Sequence, residues 1–136
     1  MGTLLSEGIG DTVRISLTDD PCEEIRIAKH ILTSLDIYEK RGMDIVSCPT
    51  CGRTKINLIS LVREFEQLAE KEGISDKSIK VALMGCVVNG PGEAREADIG
   101  IAGGIGEGLL FKKGQAVRKI KEENLVRELI EEIKKM

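Results

Sequence analysis

Two periodicities of apolar residues alternate along the chain and predict a fold of mixed helices and strands. Apolar residues that recur every three or four positions predict helices over 21–35, from after Thr54 to Gly73, and from Leu125 to the last residues. Short apolar runs predict strands over 11–18, 43–46, 79–84 and 98–102, and a closing hairpin from 109–112 and 117–120. From residue 43 onward this order predicts a small α/β sandwich, with the helices on one face of the sheet and the loops gathered at one end.

The segment before this sandwich has a pattern of its own. Its strand, 11–18, is followed by Asp20, a suitable N-cap, and by Pro21 at the first helical position. One strand and one helix cannot bury both faces of the strand, so we expect this segment to be the last βα unit of a repeated α/β domain whose earlier part is absent from the chain. The predicted boundaries are 1–36 for this unit, 37–42 for a linker and 43–136 for a second domain.

Composition narrows the classes of function. The 20 basic and 23 acidic residues are interspersed and give a formal charge of −3, so no basic surface is predicted and binding to nucleic acid is not expected. The sequence has no leader of the secretory type and no apolar run near the roughly 18 residues that a membrane helix needs. We therefore expect a soluble cytoplasmic protein without a membrane partner. In that compartment, cysteines are more often free thiols or metal ligands than disulfides.

Three of the four cysteines follow predicted strands. Cys48 and Cys51 form a C-x-x-C motif after the strand 43–46, and Cys86 follows the strand 79–84 in a glycine-rich loop that also carries Glu93. Two strand ends could therefore bring three sulfurs and one carboxylate together. Cys22, at the start of the first long helix, is outside both motifs.

The C-x-x-C motif alone does not choose between several sites. Structural zinc normally takes four cysteine or histidine ligands, and the single histidine, His30, lies on a helix in the first segment. A thioredoxin-like redox pair needs no third cysteine and leaves the glycine-rich loop unexplained. A cubane 4Fe-4S cluster accounts for more, because three thiolates leave one iron for a different ligand, and the carboxylate of Glu93 is a harder and more easily displaced ligand than a thiolate.

The two cysteine motifs carry a specific resemblance. They read Cys48-Pro49-Thr50-Cys51-Gly52-Arg53-Thr54 and Met84-Gly85-Cys86-Val87-Val88-Asn89-Gly90-Pro91-Gly92-Glu93-Ala94. Together they resemble the paired signature of the IspG/GcpE family, the 4-hydroxy-3-methylbut-2-enyl diphosphate synthases of the non-mevalonate (MEP) isoprenoid pathway. The similarity extends over the chain, since residues 7–17 resemble the end of the family's barrel and residues 98–104 resemble its cluster domain.

This resemblance implies both a fold and a set of cluster ligands. The family joins a (β/α)8 barrel to a small iron-sulfur domain, so residues 1–36 would be the last βα unit of that barrel. Cys48, Cys51, Cys86 and Glu93 would hold a 4Fe-4S cluster. Glu93 would also be catalytic, by leaving its iron so that a substrate oxygen can bind there.

The resemblance further implies a reaction and its partners. The enzyme would be an oxidoreductase that opens 2-C-methyl-D-erythritol 2,4-cyclodiphosphate to 4-hydroxy-3-methylbut-2-enyl diphosphate, with electrons from a ferredoxin or flavodoxin, and it would act as a homodimer. Arg14 and Ser16 resemble the family's diphosphate-contacting pair, while Thr54 and Asn89, beside the cluster ligands, are candidates to orient those ligands or the substrate. A chain without most of the barrel would bind a cluster but be inactive alone.

Two other classes stay open at this point. One is a ferredoxin-like electron-transfer module, which the missing fourth cysteine disfavours. The other is a structural zinc domain, which metal content and the visible spectrum would distinguish from an iron-sulfur protein.

Overall fold

The computed structural model of the chain describes residues 1–39, 42–88 and 95–136. The chain divides into two compact units, Met1–Lys40 and Arg41–Met136. None of the helices in the described residues is both long enough and apolar enough to cross a membrane.

The first unit contains two helices, α1 (Gly2–Ser6) and α2 (Pro21–Ser34). The predicted start of α2 is confirmed, because the Asp20 carboxylate accepts a hydrogen bond from the backbone N–H of Cys22 at 2.8 Å and so caps the helix. The strand predicted over 11–18 is wrong, since these residues form neither a strand nor a helix. An alternating pattern specifies a strand only when a neighbouring strand completes the hydrogen-bond ladder. That this unit is the end of a barrel stays a prediction.

The second unit is built on a five-stranded mixed sheet. Its strands are β1 (Asp44–Ser47), β2 (Lys80–Met84), β3 (Ile99–Gly103), β4 (Glu107–Lys112) and β5 (Gln115–Lys121), and they lie side by side in chain order. The first three strands are parallel, whereas β4 and β5 run antiparallel to their neighbours. The predicted closing hairpin is confirmed: Lys113 and Gly114 turn the chain with φ values of +48° and +74°, as a tight two-residue turn requires.

Two helices cover one face of this sheet, as predicted. They are α3 (Leu58–Lys71) and α4 (Leu125–Lys134), and a short 3-10 helix (Glu122–Asn124) leads into α4. Their apolar faces pack on alternate residues of the central strands, and the fully buried members of this core include Phe65, Val81, Leu83, Ile99, Ile101, Leu110, Leu125, Leu129 and Ile133. The opposite face carries a smaller cluster made of Ala82, Met84, Ala97, Ala102 and Phe111.

The strand directions gather the segments after β1, β2 and β3, two of which carry the cysteine motifs, at one end of the sheet. In the parallel register, Ser47 lies opposite Leu83 and Met84 lies opposite Ala102. The segments that follow β1, β2 and β3 therefore leave the sheet side by side. Cys48 follows β1 directly, and Cys86 comes two residues after the end of β2.

Candidate metal centre

The register of β1 and β2 brings the two cysteine motifs into direct contact. The backbone N–H of Cys48 donates to the carbonyl of Leu83 at 3.3 Å and so extends the ladder by one residue. In return, the Cys48 Sγ accepts a hydrogen bond from the backbone N–H of Gly85, also at 3.3 Å. Because Gly85 precedes Cys86, the first motif touches the residue next to the third cysteine.

A second contact lies just beyond the C-x-x-C turn. The Thr54 N–H donates to the carbonyl of Cys51 at 3.0 Å, and the Lys55 N–H donates to the carbonyl of Gly85 at the same distance. The Thr54 side chain rests on Gly85 so closely that a Cβ at residue 85 would lie 2.7 Å from Thr54 Cγ2. Glycine at position 85 is therefore what lets the two loops pack together.

The three motif cysteines differ in their exposure. Cys86 is buried, Cys48 is half-buried and Cys51 is exposed. The backbone N–H of Arg53 is the main cause that lowers the pKa of the Cys51 thiol, and the Arg53 side chain adds to it. A lowered pKa favours the thiolate, the form that binds metals.

The donor chemistry of these loops fits an iron-sulfur group. Fe–S sites use thiolate ligands whose sulfurs accept backbone N–H bonds, and the bond from Gly85 to Cys48 has this form. The Thr54 Oγ1 is also buried and has no hydrogen-bond partner in the described part of the chain, so a polar group remains available beside the loops.

The structure does not assemble the complete predicted ligand set. Across residues 1–39, 42–88 and 95–136, no three cysteine, histidine, aspartate or glutamate side chains lie close enough to hold a metal ion together. Glu93, the predicted fourth ligand, and Asn89 lie outside the described residues. The set of Cys48, Cys51, Cys86 and Glu93 therefore stays a prediction.

Several other residues singled out by the sequence lie in the first unit. Arg14 and Ser16 are exposed there, and their predicted role with diphosphate stays a prediction. Cys22 and His30 are exposed on α2.

A cleft beside Cys86 is the feature that sequence reasoning missed. Its volume is about 570 Å³, and its lining residues are Arg53, Lys55, Cys86, Val87, Val88, Gly103, Gly104, Ile105, Glu107, Gly108, Leu109 and Lys119. They come from the loop after the C-x-x-C motif, the loop after β2, the end of β3, the turn between β3 and β4, the start of β4, and strand β5. Of these residues the sequence analysis singled out Cys86, but it gave no local signal for the cleft, because the lining residues come from segments that are far apart along the chain.

The fold and the site define a class, a small two-layer α/β domain with converging cysteine motifs at one end of its sheet. Residues 44–135 match the family described as the GcpE protein C-terminal domain, and residues 1–29 match the GcpE TIM-barrel domain. The chain belongs to the GcpE family, and the resemblance of its motifs is confirmed.

Bacterial relatives match nearly the whole chain. A 4-hydroxy-3-methylbut-2-en-1-yl diphosphate synthase (flavodoxin) of Clostridium tetani is 66% identical over 98% of the chain, and that of Clostridium acetobutylicum is 63% identical over all of it. The relative of the same name from Geobacter sulfurreducens is 55% identical, also over the full chain. The chain spans 37%, 38% and 37% of the length of these three relatives, respectively.

Proposed function

We propose that this chain is the cluster-bearing part of an oxidoreductase that opens 2-C-methyl-D-erythritol 2,4-cyclodiphosphate to 4-hydroxy-3-methylbut-2-enyl diphosphate. The observation that carries the proposal is the hydrogen bond from Gly85 to Cys48 Sγ, because it ties the first cysteine motif to the second. The relatives' names support the choice of reaction.

In this proposal Cys48, Cys51, Cys86 and Glu93 hold a 4Fe-4S cluster, which when bound would deliver electrons to the substrate one at a time. The Gly85 N–H orients the Cys48 sulfur, and the contact between Thr54 and Gly85 fixes the path of the chain into Cys86. Glu93 would supply an oxygen ligand, which exchanges more easily than a thiolate does.

The remaining roles concern substrate and partners. Arg14 and Ser16 would contact the diphosphate, and Asn89 and Thr54 would orient the reacting end of the substrate. The electron donor would be a flavodoxin, which the relatives' names mention, or a ferredoxin. The active form would be a cytoplasmic homodimer of the full-length protein.

The direct test is an anaerobic reconstitution of the 136-residue chain with iron and sulfide. We expect close to four irons and four sulfides per chain and a broad absorption band at about 400 nm. Cys48→Ser and Cys86→Ser should each lose most of this absorption, whereas Cys22→Ser is the matched control and should keep it. A chain that binds one zinc ion and no iron would contradict the proposal.

Glu93→Cys separates an enzyme from an electron carrier. The variant should still bind the cluster, because thiolate is a good iron ligand. Placed in the full-length relative from Clostridium tetani, the equivalent change should abolish ring opening, since a thiolate does not leave one position exchangeable. Full activity of that variant would contradict the proposed role of Glu93 as an exchangeable ligand and would leave electron transfer as the role of the cluster.

A further inference from the structure

The cleft beside Cys86 combines an apolar wall with unpaired positive charge. Val87, Val88, Ile105 and Leu109 supply the apolar side chains, and Ile105 is 83% exposed although it is large and hydrophobic. Leaving such side chains in contact with water is unfavourable, and an apolar surface of this kind at a cleft commonly marks a binding site.

Among the described residues that line the cleft, the cations outnumber the one carboxylate. Glu107 forms an ion pair with Lys119. Arg53 and Lys55 pair with no carboxylate in the part of the chain that the structure describes. The lining residues that the structure describes therefore carry three positive charges and one negative charge, and an anionic group that enters the cleft would meet a favourable field from them.

Shape and charge together specify the class of ligand. A ligand that uses both features needs an apolar body of moderate size and a head group that carries more than one negative charge. A volume of about 570 Å³ falls within the range of pockets that enclose small organic molecules, and it exceeds what an inorganic anion alone would fill.

We propose that this cleft binds a prenyl diphosphate whose hydrocarbon chain is longer than that of the five-carbon product. The hydrocarbon part of the ligand lies along Val88, Ile105 and Leu109. Its diphosphate faces Arg53, Lys55 and Lys119. The choice of diphosphate among polyvalent anions rests on the proposed function, which makes an allylic diphosphate. A ligand bound here lies against Cys86. Its binding can therefore make the proposed reaction site sensitive to the concentration of longer isoprenoid diphosphates.

The test is a calorimetric titration of the metal-free 136-residue chain with a matched set of probes. Geranyl diphosphate should bind at least about tenfold more tightly than dimethylallyl diphosphate, because its additional carbons bury more apolar surface. It should also bind at least about tenfold more tightly than inorganic pyrophosphate, geraniol or decanoate, each of which lacks one of the two features. Backbone amide shifts in NMR spectra should concentrate in residues 103–109.

Variants assign the two halves of the site. Lys119 lies on β5 and not in the cysteine loops. Lys119→Gln should weaken the binding of geranyl diphosphate about fivefold, and Lys55→Gln should have the same effect. Ile105→Ser should weaken geranyl diphosphate and leave pyrophosphate unchanged. Lys71→Gln, an exposed position at the end of α3, is the control and should change neither. Thermal unfolding of each variant checks that the fold is retained.

The proposal would be overturned by no binding of geranyl diphosphate, or by equally tight binding of dimethylallyl diphosphate, pyrophosphate, geraniol or decanoate. None of these measurements needs a cluster. A chain that reconstitutes with iron but does not bind geranyl diphosphate would therefore contradict this inference and not the proposed function. A chain that binds geranyl diphosphate but does not reconstitute with iron would contradict the proposed function.

Discussion

Gly85 is the residue through which the two cysteine motifs meet. It donates its N–H to the Cys48 sulfur, accepts a hydrogen bond from Lys55 through its carbonyl, and lies under the side chain of Thr54. Any side chain at position 85 would have to displace Thr54. The close packing of the two loops therefore depends on the absence of a side chain at position 85.

Gly85→Ala should lower the free energy of unfolding by about 1–3 kcal/mol, because the added Cβ would lie 2.7 Å and 2.8 Å from Thr54 Cγ2 and Oγ1. Urea denaturation measures the change. Gly52→Ala is the matched control in the neighbouring loop, since nothing lies within 4 Å of a Cβ there and a change of less than about 0.5 kcal/mol is expected.

A double variant tests the cause of that loss. Combining Gly85→Ala with Thr54→Ala removes the two closest Thr54 atoms and should recover part of the stability, since Thr54 Cβ would then be the nearest atom, at 3.2 Å. Strictly additive losses in this cycle would show that Thr54 is not what excludes a side chain at position 85.

What the sequence predicted at this scale was the identity of the cysteines and not their surroundings. Cys48 and Cys86 could be placed at strand ends because apolar runs precede them. The contact of Thr54 with Gly85 depends on the register between β1 and β2, and the grouping of Arg53 with Lys119 depends on how segments far apart in the sequence pack together. Local periodicity carries no information on that register.

At the scale of elements, the buried carboxylate of Glu132 links α4 to the sheet through hydrogen bonds. Glu132 accepts hydrogen bonds from Lys112 on β4 at 2.8 Å and from Lys135 at 3.0 Å, and Arg118 on β5 approaches it at 3.4 Å. The Lys112 hydrogen bond is the first cause that lowers the pKa of Glu132 from 4.5 to about 2.

The sign of the linkage follows from that direction. A carboxyl group whose pKa is lower in the folded chain stabilises the fold above its unfolded pKa, and this contribution is lost as the pH falls from about 4.5 towards 2. Glu132→Gln should therefore cost about 2 kcal/mol at pH 7 and clearly less at pH 3.

Denaturant unfolding at both pH values tests this expectation. Glu131→Gln is the control on the same helix, because its side chain is 54% exposed and its contact with Lys134 is a surface ion pair of little energy. A Glu132→Gln penalty that is equal at pH 7 and pH 3 would assign the effect to packing instead of charge.

The outcome for the elements shows which patterns suffice on their own. The helix of residues 125–134 and the β4–β5 hairpin were predictable because their signals are local, an amphipathic period in one and Lys113-Gly114 in the other. The strand predicted over 11–18 is absent, because the alternation of Val13, Ile15 and Leu17 forms a strand only when a partner strand is present. In the described chain no strand pairs with it.

At the scale of the whole molecule, the buried core belongs to one unit. Neither α1 nor α2 contains a buried residue, whereas all the buried side chains of the described chain lie between Ile56 and Ile133. Hydrophobic burial stabilises a fold roughly in proportion to the apolar area removed from water, so the second unit has the larger source of stability.

A chain that begins at Gly42 should therefore keep the unfolding midpoint of the sheet domain within the equivalent of about 0.5 kcal/mol. Circular dichroism during urea denaturation measures this midpoint, and dispersed NMR signals of the apolar core check the packing. A shortened chain that fails to fold would show that residues 1–39 contribute to the stability of the sheet domain.

The sheet topology also places the cysteine loops and the β4–β5 turn at opposite ends of the sheet. The Lys113-Gly114 turn connects β4 to β5 at the end of the sheet opposite Cys48 and Cys86. An attachment tag fused near this turn would immobilise the domain on an electrode or a sensor chip in one orientation, with its cysteine loops towards the bulk solution. With the proposed cluster reconstituted, voltammetry on such a surface would reach every molecule from the same side.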